Sequence, residues 1–160
     1  MCCAVKGRAL ATALHDPLVG RVWETTHLSG HRFAPTAVLL PSGVTYGRLD
    51  PDLALAAFEH GKAGRVMLDG YRGRTTYSRP GQAAEAAVRT ASGESDLDAL
   101  EVVSVREHDG LWHAVLSHRD GRQWRVDVTG RRLELARPES CGAAAGRPMA
   151  YEATPPERVE

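Results

Sequence analysis

The stretch from Leu100 to Thr129 limits what this chain can fold into more than any other part of it. Three segments rich in β-branched and aromatic residues, Leu100 to Glu107, Leu111 to His118 and Arg122 to Thr129, are punctuated by Asp109-Gly110 and Asp120-Gly121. Such runs joined by Asp-Gly turns read as consecutive antiparallel strands. The turn lengths then set the register. A two-residue turn at Asp109-Gly110 pairs Val105 with Ala114 and Val103 with Leu116. A two-residue turn at Asp120-Gly121 would set Leu116 against Arg125 and break the apolar face. A three-residue loop, Arg119-Asp120-Gly121, instead pairs Leu116 with Trp124, Ala114 with Val126 and Trp112 with Val128. Because a one-residue slip sends every side chain to the opposite face, the second register is the expectation, with Trp112 and Trp124 in the core.

The remaining elements are shorter. Ala4 to Leu14 reads as a helix ending at Asp16-Pro17, and Gly20 to Thr25 as a short strand. Ala37 to Leu40 and Val44 to Arg48 flank Pro41-Ser42-Gly43 as a hairpin. A second helix starts with Asp50 as N-cap and Pro51 in its first turn, and stops near His60 with Gly61 beyond its end. Arg65 to Leu68 reads as a strand, Tyr71 to Ser78 as an extended loop, Gln82 to Thr90 as a helix, and Pro148 to Ala153 as a last strand.

Bulk properties narrow the function classes. Twenty basic residues balance twenty acidic ones, so no global field favours nucleic acid or an anionic membrane. No apolar run approaches a membrane span, and the opening Met1 to Arg8 is too polar for a secretion signal, which points to the cytoplasm. The expected partners therefore include neither nucleic acid nor membrane. An odd count of three cysteines reads as thiols or ligands rather than a disulfide framework.

The chemistry concentrates in Thr26-His27-Leu28-Ser29-Gly30-His31-Arg32-Phe33-Ala34-Pro35. Two histidines stand four apart across a Ser-Gly turn, and with Cys2, Cys3 and Cys141 they make the soft donor set that zinc or an iron–sulfur cluster takes. Spacing alone does not choose between those centres, or between either and two histidines at a strand edge. Elsewhere, His113 and His118 point to opposite faces of one strand, and His15, His60 and His108 fall at element ends in solvent. Arg72 and Arg74 offer a place for an anionic partner or simply a solvated loop. No phosphate-binding glycine loop, nucleophile elbow or hydrolytic carboxylate pair is present in the sequence, so it carries no hydrolase signature.

The run from Val22 to Leu49, containing the His-x-x-x-His-Arg-Phe-Ala segment and Leu40-Pro41-Ser42-Gly43-Val44-Thr45-Tyr46-Gly47-Arg48-Leu49, resembles the sucrase/ferredoxin-like family. Leu68 to Arg74, Gln82 to Glu85 and Ser140-Cys141-Gly142 extend the likeness over essentially the whole chain. The resemblance implies a thioredoxin-like 2Fe-2S ferredoxin. Two cysteines in an early loop and a later pair four apart hold the cluster in such proteins, the later pair being two histidines in one branch. Carried over by position, it implies Cys3, His27 and His31 as cluster ligands, with Cys2 and Cys141 outside the set.

The family's first ligand cysteine, with its first strand and helix, would fall upstream of Met1, so three ligand positions stand where the family uses four. A start assigned too late is the reading that follows. The expected architecture is α+β: residues 1–62 as the C-terminal half of a thioredoxin-like ferredoxin fold, then residues 63–160 as a small domain built on an antiparallel three-stranded meander. The expected function is electron transfer through a 2Fe-2S cluster to an unidentified redox partner protein. The alternative is a structural or interaction protein of the same fold, without a cluster or with zinc at the same residues.

Overall fold

The computed structural model describes residues 3–28, 30–138 and 144–159. Among the described residues the chain is α+β, with a three-stranded and a five-stranded sheet, each backed by helix and each closing its own apolar cluster, and a separate two-stranded pair.

Helix α1 (Cys3–His15) buries Leu10 and Leu14 and is followed by irregular chain where a strand was expected at Gly20 to Thr25. That segment finds no backbone partner in a sheet, and Trp23 and Val19 stay largely in solvent. The hairpin forms as expected: β1 (Thr36–Leu39) pairs with β2 (Val44–Gly47), Leu39 opposite Val44. Helix α2 (Pro51–Lys62) begins at the expected cap, where the Asp50 carboxylate accepts from the Leu53 N–H at 2.8 Å. It runs through Gly61 rather than stopping there, because the left-handed turn falls to Gly64. Arg65 makes a single bridge to Asp96 instead of a strand, and β3 (Tyr71–Arg74) replaces the expected loop by pairing with β2. The first core gathers Leu10, Leu14, Val44, Tyr46, Leu49, Ala54, Ala57, Val66 and Met67. Tyr46 reaches across it to accept from the Met67 N–H at 3.1 Å.

Helix α3 (Arg79–Ser92), capped by Ser78 and ended by a left-handed Gly93, lies on the second sheet. There β4 (Leu100–His108), β5 (Leu111–His118) and β6 (Gln123–Arg132) form the expected antiparallel meander. Leu116 pairs with Trp124, Ala114 with Val126 and Trp112 with Val128, so the three-residue loop register is the one adopted. One pairing differs. Leu116 faces Val102, and Val103 is left 56% exposed in a bulge. Val102 and Val105 both face the core, and an odd separation permits that only if one extra residue is inserted between them.

After a two-residue pair, β7 (Arg137–Pro138) with β8 (Ala145–Gly146), the chain returns to β6 twice. The expected last strand is β9 (Met149–Ala153), and β10 (Glu157–Val159), not anticipated, pairs beside Trp124.

Carboxylates secure the β5–β6 turn to the segment after α3. His118, almost fully buried, has Nε2 2.9 Å from Glu94 Oε2 and Nδ1 2.7 Å from Asp120 Oδ1, while the Arg122 guanidinium donates to Asp120 at 2.8 Å. The backbone N–H of Asp96, then His118, hold Glu94 below its usual range. Desolvation works to raise Asp120, but the Arg122 N–H, His118 and the Arg122 side chain outweigh it and bring the carboxyl to about 2. A carboxyl depressed in the folded state stabilises above its unfolded value and loses that contribution as pH falls towards the folded one. Urea midpoints of the wild type should therefore drop between about pH 4 and about 2, and Asp120→Asn should flatten that drop. An unchanged slope in the variant would show that the turn network does not carry the acid sensitivity.

Candidate metal centre

The irregular chain after α1 ends at Gly30, which adopts φ 74° and ψ 41° and so turns it back by a left-handed step that a side chain would resist. A single 3₁₀ turn, His31–Phe33, follows and is closed by Phe33 N–H to Gly30 O at 2.8 Å. The end of β2 pins this turn from the far side: Arg48 N–H donates to Phe33 O at 2.6 Å, and Leu49 N–H to Pro35 O at 3.3 Å. Gly47 is required for that approach, since a Cβ there would sit 2.8 Å from Phe33 Cβ.

Turned in this way, His27 and His31 bring their rings together. The centroids are 5.3 Å apart with planes at 83°. Two imidazoles on one metal ion, each bonded at about 2 Å and near a tetrahedral angle, would have centroids about 5 Å apart. The observed separation is of that size, and edge-to-face contact between the exposed His27 and the half-buried His31 is what the same turn holds without a metal.

Cys3 opens α1, but its side chain, like Cys2 and Cys141 entirely, lies outside the described residues. Among the described residues no group of three or more His, Cys, Asp or Glu side chains converges on a metal-sized site. His15, His60 and His108 are exposed as expected, and His113 pairs with Asp127 at 2.7 Å on the face opposite His118.

Sequence reasoning missed the residues that surround the histidine turn. Phe33 is ringed by guanidinium groups: Arg72 Cζ lies 3.4 Å from the ring centroid, Arg32 Cζ 4.6 Å and Arg48 Cζ 5.7 Å. Arg32 is anchored further by donating to Met149 O at 3.0 Å, a bond 117 residues away in sequence. Arg72 and Arg74, adjacent candidates for an anionic partner, part company. Arg74 is paired with Asp98 at 2.6 Å and also donates to Leu97 O, whereas Arg72 turns to Phe33. The one local signal was the Arg32-Phe33 dipeptide beside His31; Arg48 and Arg72 reach it only through the sheet.

A small α+β protein with two imidazoles poised at one turn is the class that this fold and site define. Residues 1–73 match the family model described as sucrase/ferredoxin-like. The match runs from α1 through the histidine turn and the first hairpin into β3, and over that part the chain is similar to the family. The match stops short of Gln82 to Glu85 and of the second sheet, which the resemblance had included. No curated protein and no solved structure matches the chain. Among the described residues no helix is long and apolar enough to cross a membrane.

Proposed function

We propose that this protein transfers single electrons through a 2Fe-2S cluster held in part by His27 and His31. The observation that carries the reading is the 5.3 Å approach of the two rings, together with the family match over the segment that contains them. The chemistry of the donors agrees. Neutral imidazole is a competent ligand of cluster iron, and two imidazoles in place of two thiolates raise the potential of such a centre. When bound, the cluster would supply a one-electron couple. The chain's own part is to fix the two rings, through the left-handed Gly30 and the backbone bonds from Arg48 and Leu49. Cys3 stands in this reading as the thiolate ligand contributed from the start of α1.

Reconstitution with iron and sulfide tests it. The wild type should take up iron and a visible absorption band, and His27→Ala and His31→Ala should each lose most of both, since each removes a direct ligand. Gly30→Val should weaken uptake as well, because a β-branched residue resists the left-handed step that brings the rings together. Colourless zinc uptake at the same two histidines would replace the electron-transfer reading with a structural one. Iron content and spectrum unchanged in both alanine variants would sink the ligand assignment.

A further inference from the structure

We propose that Arg48 and Arg72, gathered around Phe33 beside the histidine pair, form a docking face for an acidic surface of a partner protein. That this partner exchanges electrons rests on the reading above; the docking does not.

The chain has as many acidic as basic residues, so carboxylates are available to neutralise its arginines, and the fold uses them. Arg74, Arg89, Arg119, Arg122 and Arg131 each have one within 3.1 Å. Among the described residues neither Arg48 nor Arg72 forms an ion pair, nor does Arg79 at the first position of α3. They are nonetheless close enough to repel. Burial first, and then the charges of Arg32, Arg48 and Arg79, push the Arg72 guanidinium down to about 10. Like charges held together at a cost, in a neutral protein, are relieved by a counter-surface of opposite sign. Arg79 adds to the potential because it stands at a helix N-terminus, where the backbone already favours anions.

The geometry favours a protein surface over a small oxyanion. Stacking on Phe33 occupies the flat face of the Arg72 guanidinium and leaves its N–H edge, the edge that pairs bidentately with carboxylates. The same stack presents an aromatic ring among arginines, the side-chain mixture that anchors protein interfaces. Arg48 and Arg72 are both exposed as residues, while Phe33 and its neighbours cover part of the Arg72 guanidinium.

Binding of poly-L-glutamate to the full chain, read by titration calorimetry, tests the face directly. It should bind, weaken with added salt, and lose at least tenfold in affinity in Arg48→Gln and in Arg72→Gln. Arg79→Glu puts an acidic residue where the helix end welcomes it, so it should weaken binding while leaving the thermal midpoint unchanged or raised; that separates docking from folding. Arg125→Gln, an exposed arginine on β6, should change nothing. Affinity untouched in the first two variants, an equal loss in Arg125→Gln, or binding of inorganic pyrophosphate without binding of poly-L-glutamate would each overturn the proposal. His27→Ala that abolishes iron uptake but keeps poly-L-glutamate binding supports both readings. Docking retained by a wild type that takes up no iron supports the face and removes only the redox role.

Discussion

Replacing Arg89 by Met should lower the stability of the protein by about 3–5 kcal/mol, the range measured when one partner of a buried ion pair is removed. Arg89 is 0% exposed and sits one helical turn after Glu85, also 0% exposed, with Nε donating to Glu85 Oε1 at 3.1 Å. Its other nitrogens donate to Asp96 O at 2.8 Å, Leu97 O at 3.0 Å and Glu94 O at 3.3 Å, so a single guanidinium closes the segment that leaves α3. The Tyr71 hydroxyl is buried beside this pair, against Glu85 and Arg89. Burial, and then the Glu85 charge, push the Tyr71 hydroxyl upward. Without Arg89, a buried carboxylate and the carbonyls of Glu94 and Asp96 lose these bonds together, while Leu97 O keeps the Arg74 donor. A fall in thermal midpoint on the order of 10 °C is expected, and Glu85→Gln in the same chain should recover only part of it, since the carbonyls of Glu94 and Asp96 do not regain the Arg89 donor. A midpoint within a degree or two of the wild type would mean that the pair is not buried as described.

Gly73→Ala should be nearly as damaging. Gly73 has φ 91°, and a Cβ there would lie 2.6 Å from Gln82 Cβ and 3.1 Å from its Cα. The first figure demands movement, and the second involves backbone, so the strain cannot be shed by a flexible side-chain end. Overpacking and the left-handed penalty together put the loss at about 2–4 kcal/mol. The position sits where β3 meets both β2 and α3: Thr45 of β2 donates to Gly73 O at 2.8 Å, and the Gln82 amide of α3 donates to Arg74 O at 2.7 Å. Chemical denaturation should show the loss. Gln82→Ala removes the Cγ contact at 2.7 Å but should restore only part of the loss, because Cβ and the backbone Cα stay in place.

These two positions also mark where the sequence stops being legible. The meander could be read because its alternation and its turns pointed to one register, and Leu116, Trp124 and Val126 sit where that register puts them. The bulge at Val103 could not, since Val102 and Val103 are both apolar and only packing against α3 selects which one turns inward. Tyr71 to Arg74 shows no alternation and contains a glycine; it becomes a strand because β2 presents an unpaired edge beside it. Nor does Glu157 to Val159, behind two prolines, carry a strand pattern of its own.

At the site the histidine spacing was visible, and their meeting depends on one left-handed glycine that lies between them. The arginines around Phe33 were not visible as a group, because positions 32, 48 and 72 share no local pattern and converge only when the first sheet forms.

The bond from Arg32 to Met149 O has a bearing on how this chain can be divided. Arg32 follows His31 directly, inside the segment that carries the family match, while Met149 opens β9 in the other sheet. The histidine turn is thus braced by a strand well beyond residue 73. A chimera that keeps residues 1–73 and exchanges everything after them would inherit the two imidazoles but not the brace. Its histidine turn would be free to wander, and any ligand it held would be released faster than from the intact chain.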